Sequence, residues 1–263
     1  MTWLSAVVGL ITLLVLLMGT AGAQSGSDRV VVVAAAADLK FALDEILEAF
    51  RARHPDIQVR VTYGSSGNFF AQLSNRAPFD IYFSADLDYP RQLIAQGLAE
   101  KDTEFLYAVG RIVVWAPSRS TIDLERLGIQ ALLDPSVRKV AIANPQHAPY
   151  GRAAVAAMKT LGVYDQVQER FVYGENIAQT AQFIHTGAAD IGIIALALAL
   201  APALRDEGRW WEIPFEAYPR MDQGGVILPW AKDREAAQAL RTFVLGPEGK
   251  AILRAYGFFL PGE

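Results

Sequence analysis

The chain has 263 residues, 52% of them hydrophobic and 20% charged, which supplies a sizeable core and excludes a disordered protein. The net charge is −4 and no run of like charges occurs, so there is no electrostatic footprint for nucleic acid. There is no cysteine, which excludes disulfides, thiolate metal sites, cysteine nucleophiles and a lipid-modified N-terminal cysteine.

The first 23 residues carry no charge, and an apolar block runs from Ala6 to Met18. That block is shorter than the roughly 20 residues a membrane span needs. Ala21 and Ala23 fit a signal-peptidase site, although the positive residue usual ahead of such a block is missing. We expect residues 1–23 to be a cleavable signal peptide and the mature protein to be soluble and periplasmic.

From Val30 the chain alternates strand-like and helix-like segments. Val30–Ala35 is a continuous apolar run of the buried parallel-strand kind. Ala42, Leu43, Ile46, Leu47 and Phe50 follow at helical spacing, and that helix stops before Pro55. Strands are expected over 57–63 and 79–84, with helices from Phe69 and over 89–96, the last ending at Gly97. The pattern then restarts with strands over 111–116, 139–143, 171–173 and 191–194, and helices over 124–133, 151–161 and 177–186. The Ala195–Ala203 run reads as buried helix. An extended stretch over 217–229 precedes two helices, over 233–245 and 247–256. This is an α/β chain in two similar halves without sequence repeat. We expect two lobes, each a mostly parallel sheet flanked by helices. Lobe I would comprise 28–108 plus 225–263 and lobe II 109–224. Two crossover strands, near 107–113 and 220–226, would form the hinge behind a cleft.

Ligands in such sheets bind beyond the carboxyl ends of the strands. Four strand-to-helix joints there are small or polar: Ala36–Asp38, Gly64–Asn68, His147–Gly151 and Gly174–Ile177. Each helix start offers free N–H groups and the positive end of the helix dipole, which suits an anion without lysine or arginine. Ser, Asp and Asn at such places are also ordinary N-caps. The joints gain meaning as a set, two from each half.

At these joints the chain resembles the molybdate-binding proteins of bacterial ABC importers. Val33–Leu39, Gly64-Ser65-Ser66, Phe79–Asp86, Asn144–Ala154, Gly192-Ile193-Ile194 and Tyr256-Gly257-Phe258 match that family in order over nearly all of the chain after the signal. The resemblance implies a type II periplasmic-binding-protein fold, molybdate or tungstate as ligand, and an ABC permease in the inner membrane as partner. It also implies a monomer that is no enzyme and needs no cofactor or metal beyond the oxyanion. It implies ligand contacts from Asp38, Ser66, Tyr150 and Ile177, with Ser66 giving its hydroxyl and Tyr150 and Ile177 their backbone N–H groups.

Two positions depart from the family pattern. Asp38 stands where a serine is common, and Ala195 where a tyrosine hydroxyl is common. An ionised carboxylate about 4 Å from a unit negative charge costs about 4 kcal/mol at an effective dielectric of 20, and about twice that against a dianion. Asp38 could cap its own helix and face away, the arrangement we expect. It could instead be protonated in the closed cleft, or accept a hydrogen bond from a protonated oxyanion such as phosphate. Tyr150 or Asn68 could replace the hydroxyl missing at Ala195.

Other candidates read as structural. His54, His147 and His185 match no metal spacing. His54 reads as a surface cap and His185 as a cation near a helix end. His147 lies in the third joint, within reach of the cleft. Ser65-Ser66 lacks the nucleophile-elbow pattern, which disfavours an exported hydrolase. Asp80, Asp86 and Asp88 fit strand-end and cap positions. Trp210-Trp211 and Phe258-Phe259 read as core or interlobe packing. A transcriptional effector domain is disfavoured by the export signal and the lack of a helix-turn-helix extension.

Overall fold

Four consecutive valines open the first strand, β1 (Arg29–Ala36), which is buried on both faces from Val33 onward. The computed structural model describes residues 29–263. The expected signal segment, 1–23, lies outside the described residues.

The apolar stripe after β1 forms helix α1 (Lys40–Arg53), which buries Ala42, Leu43, Ile46, Leu47 and Phe50 and ends at His54. His54 closes the last turn and stacks on Phe50. There follow β2 (Ile57–Gly64), α2 (Ser66–Ser74), β3 (Ile81–Ser84), α3 (Asp88–Ala95) and β4 (Phe105–Gly110). The second half runs β5 (Ile112–Pro117), α4 (Leu124–Leu127), β6 (Val140–Ala143), α5 (Pro149–Thr160), α6 (Tyr164–Val167), β7 (Phe171–Gly174), α7 (Ile177–Thr186), β8 (Ile191–Ala195), α8 (Leu196–Ala199) and β9 (Gly208–Glu212). The chain closes with β10 (Met221–Ile227), α9 (Arg234–Leu245) and α10 (Pro247–Ala255).

The strands make two five-stranded sheets, ordered β2-β1-β3-β10-β4 and β7-β6-β8-β5-β9. The two orders are the same pattern. In each sheet the fourth place is held by the strand the chain lays down on entering from the other sheet. That strand, β10 or β5, runs antiparallel to both neighbours, while the other lateral pairs are parallel. The chain crosses between sheets at Gly110–Arg111 and again over 213–220. Met221–Gly224, assigned from sequence to the end of lobe II, hydrogen-bond instead with β4 and β3 in the first sheet. A strap covers the crossing: Arg111 bonds to Glu212 and the Gly257 carbonyl and lies over the Phe259 ring.

Three local expectations change. The helix expected over 124–133 is an α-helical turn followed by a 3₁₀ segment, because Gly128 takes a positive φ of 55° against the Trp211 ring. Trp210-Trp211 lie on the edge strand β9, with Trp210 exposed and Trp211 packed on the core of the second lobe. Of the 195–203 run, only Leu196–Ala199 is α-helical, and Ala195 ends β8.

Asp80 fastens the returning chain to the first sheet. It is buried ahead of β3, and its carboxylate accepts from the amides of Val32 (2.7 Å) and Lys232 (2.9 Å). Asp80→Ala leaves both N–H groups without a charged acceptor, and it is expected to cost about 3 kcal/mol of unfolding free energy. Urea titration of the variant measures this, and a loss below about 1 kcal/mol would mean that the amides find other partners.

Candidate functional site

The residues flanking five strand ends meet between the lobes around a cavity of about 10 Å³, room for about one water in this closed arrangement. The first lobe contributes Ala36–Asp38 beyond β1, Gly64–Ser66 beyond β2 and Ala85 beyond β3. The second contributes Ala148–Tyr150 and Ile177, at the starts of α5 and α7. Asp38, Ser66, Tyr150 and Ile177 thus line one cavity. No lysine or arginine does. Ala195 is not among the lining residues, and neither is Asn68, whose amide donates to Glu175 instead.

The helix starts are built to leave donors free. Ser65 caps α2 by accepting from the Asn68 amide, and Asn176 caps α7 by accepting from the Ala178 and Gln179 amides. Pro149 takes the first position of α5, with no side-chain cap. The amides of Ser66, Tyr150 and Ile177 lie in first turns, where no helical carbonyl stands four residues back to receive them. The Ser66 Oγ accepts from the Ala85 amide at 2.9 Å, which leaves its proton available to a further acceptor.

Asp38 departs from expectation. Ala36 occupies the cap position of that short 3₁₀ turn, and no side chain caps it. The carboxylate is instead 1% exposed and forms a triangle spanning the lobes. Its Oδ2 accepts from the Tyr150 hydroxyl (2.9 Å) and from the Gln223 amide nitrogen (2.8 Å), and that nitrogen lies 3.0 Å from the Tyr150 hydroxyl. Oδ1 is buried without a hydrogen-bond partner. Burial pushes the Asp38 carboxyl up to about 6, against the opposing pull of the Gln223 and Tyr150 hydrogen bonds and, more weakly, of the Asp38 and Leu39 backbone amides. Burial, with the Asp38 charge beside it, also raises the Tyr150 hydroxyl well above its ordinary range.

Gln223 was not anticipated from sequence. It lies at a bulge in β10, where the register against β4 shifts between Gln223 and Gly224. Such a bulge re-aims a side chain. The Gly224-Gly225 pair inside an extended stretch was the available signal. Gly110 makes room for the triangle, since a Cβ there would stand 2.7 Å from both Gln223 Nε2 and the Tyr150 hydroxyl.

The lobes are closed over the cavity. The Gly67 amide donates to the His147 carbonyl across the cleft (2.9 Å), and Ser65 Oγ lies 3.0 Å from His147 Nδ1. Arg152 bonds to Asp86 and to the Tyr89 hydroxyl. Among the described residues no carboxylate pairs with His147, so the Ser65–His147 contact lacks the third group that would orient a catalytic base. His185 pairs with Glu207 on the far side of the second lobe. Among the described residues no group of three or more His, Cys, Asp or Glu could hold a metal ion. Asp86 and Asp88 serve the α3 start, where Asp86 accepts from the Asp88 amide.

Residues 31–259 match the family model described as bacterial extracellular solute-binding protein. The chain belongs to that family. This solute-binding protein is 34% identical over 230 residues to the molybdate-binding protein ModA of Azotobacter vinelandii, covering 88% of this chain and 90% of that one. It is 33% identical over 247 residues to ModA of Rhodobacter capsulatus, covering 94% of each. The solved periplasmic molybdate-binding protein of Azotobacter vinelandii superposes with a TM-score of 0.80, over 88% of this chain and 99% of that one. The architecture is the two-lobed type II periplasmic-binding-protein fold, as the sequence resemblance implied.

The buried carboxyl makes closure sensitive to pH. Below about pH 6 it is neutral in the closed conformation, and above that value ionisation favours a conformation that hydrates it. In the absence of ligand, small-angle scattering is expected to show the lobes opening as pH rises from about 5 to about 8. Asp38→Asn, neutral throughout, is expected to stay compact across that range. Equal response of parent and variant would assign the effect to another group.

Proposed function

We propose that this protein captures molybdate or tungstate in the interlobe cavity and delivers it to an ABC permease in the inner membrane. In this reading it is exported by a cleaved signal, works in the periplasm as a monomer, carries no cofactor and catalyses nothing. The observation that supports it is a small interlobe cavity, lined by helix starts of both lobes and by Ser66, with no basic side chain in its wall. Asp38, Ser66, Tyr150 and Ile177 are the proposed contacts. The first-turn amides of Ser66, Tyr150 and Ile177 and the Ser66 hydroxyl would donate to a tetrahedral dianion. Hinge closure on the ligand would then expel water and strengthen each of these bonds. The relatives named molybdate-binding support the choice of ligand.

A second reading has a specific observation behind it. The free acceptor on Asp38 suits an oxyanion that carries a hydrogen, such as phosphate. Isothermal titration of the purified, anion-stripped protein with molybdate, tungstate, sulfate and phosphate separates the two. Stoichiometric binding of molybdate and tungstate, with silence from sulfate and phosphate, is expected. Phosphate binding, or silence from all four, would sink the molybdate reading.

Two variants report on the geometry. Ser66→Ala removes a donor to a charged ligand and leaves the Ala85 amide unpaired, so molybdate affinity is expected to fall roughly ten- to hundredfold. Gly67→Ala sets a Cβ 2.5 Å from the His147 carbonyl oxygen across the cleft, a backbone clash made on closure, and 2.8 Å from the movable Tyr89 hydroxyl of its own lobe. Its molybdate affinity is expected to fall by about a hundredfold or more, with the fold intact by circular dichroism. Unchanged affinity in either variant would show that the ligand binds elsewhere.

A further inference from the structure

We propose that Asp38 takes up one proton for each oxyanion dianion captured, so that its Oδ1 enters the closed complex as an O–H donor to the ligand. This rests on the reading of the cavity as an oxyanion site.

The argument starts from an acceptor with nothing to accept. Asp38 lines the cavity, its Oδ2 is occupied by Tyr150 and Gln223, and its Oδ1 is buried and unpartnered. Facing it from β4 is Tyr107, whose hydroxyl donates to the Ser84 carbonyl. Tyr150 and Gln223 face it from α5 and β10. The second-lobe helices against this turn, α7 and α8, bring Ile177 and an apolar Leu-Ala-Leu-Ala stretch, while His185 lies at the opposite end of α7. Lys40, two residues on, pairs with Asp44. Among the described residues no cation pairs with Asp38, so nothing nearby neutralises an ionised carboxylate.

A dianion entering this space meets a negative charge it cannot coexist with. At about 4 Å and an effective dielectric of 20, repulsion against two charges far exceeds the cost of moving a proton onto a carboxyl already pushed up to about 6. One proton from solvent forms the O–H bond at Oδ1, the carboxyl becomes neutral, and the proton then lies between Oδ1 and a ligand oxygen. On release the ligand departs as the dianion and the proton returns to solvent. Charge and hydrogen balance at each stage. The orphaned acceptor thereby becomes a donor, like the other groups lining the cavity.

The sign of the pH dependence follows. Where the carboxyl of the free protein is already protonated, below a pH that lies between the ordinary carboxylate value and about 6 according to how far the free lobes open, capture takes up no proton and affinity is flat. Above it, each unit of pH lowers affinity about tenfold until the carboxyl of the complex itself ionises. His147, bonded to Ser65, is an ionisable side chain at the cavity edge, so its variant is included in the test.

The experiment is calorimetric titration with molybdate at pH 8, in two buffers that differ in ionisation enthalpy, on the parent, Asp38→Asn and His147→Gln. Uptake of about one proton per molybdate is expected for the parent and His147→Gln, and none for Asp38→Asn, whose affinity becomes independent of pH. Infrared difference spectra of the parent offer a second readout: the C=O stretch of a protonated carboxyl should appear on adding molybdate. Molybdate binding by the parent without proton uptake or that band overturns the proposal, and so does uptake that persists in Asp38→Asn. If the parent does not bind molybdate at all, the oxyanion reading falls and this inference falls with it.

Discussion

A carboxylate buried between two lobes, held by a tyrosine from one and a glutamine from the other, is the contact on which the closed arrangement turns. Asp38 and Gln223 belong to the first lobe and Tyr150 to the second, so the triangle exists only when the lobes meet. Each vertex has its own structural requirement. Tyr150 is presented by the helix start that Pro149 initiates, Gln223 is aimed by the bulge in β10, and both fit because Gly110 has no side chain. The same triangle leaves two buried oxygens unsatisfied, Oδ1 of Asp38 and Oε1 of Gln223, an unusual state for buried groups. The closed form without ligand therefore carries an unmet cost, which is what a receptor needs if closure is to await its cargo.

The remaining contacts across the cleft combine polar pairs with small apolar side chains. Arg152 reaches Asp86 and Tyr89 with both ends of the ion pair partly exposed, and such pairs contribute little net stability in water. The small side chains of Ala36, Ala37 and Ala85 bring the first-lobe strand ends against the second-lobe core without interlocking. An interface of this kind separates readily. Most of the hydrophobic area lies within the lobes, and the two large core clusters touch across the boundary through Ala36, Ala37 and Ala85 on one side and Ala197 and Ala201 on the other.

Much of this could be read from sequence because the governing signals are local. The valine run of β1, the helical spacing from Ala42 to Phe50 and the residues at the four joints each reflect a few neighbouring positions. The convergence of those joints followed from a general rule about strand ends in parallel sheets. What could not be read depends on contacts distant in sequence. Asp38 looks like a helix cap from its neighbours, and only the approach of Tyr150 and Gln223, 112 and 185 residues away, makes it a buried acceptor. The strand β9 was missed because Gly208-Arg209 and Glu212 surround its two tryptophans with residues untypical of a core strand. The helix expected through Gly128 breaks because Trp211, more than eighty positions later, packs against that glycine.

The shared strand order of the two sheets bears on how the chain assembles. The second sheet is built from one contiguous stretch, Ile112 to Glu212, and lacks nothing once that stretch is present. The first sheet has a gap between β3 and β4 that only β10 fills, and its helical cover includes α9 and α10 from the end of the chain. In a chain that emerges from its N-terminus, the first lobe to begin is therefore the last to be finished. Until Met221–Ile227 arrives, β3 and β4 expose unpaired edges, and the nascent protein is in that interval most open to mispairing and to capture by chaperones.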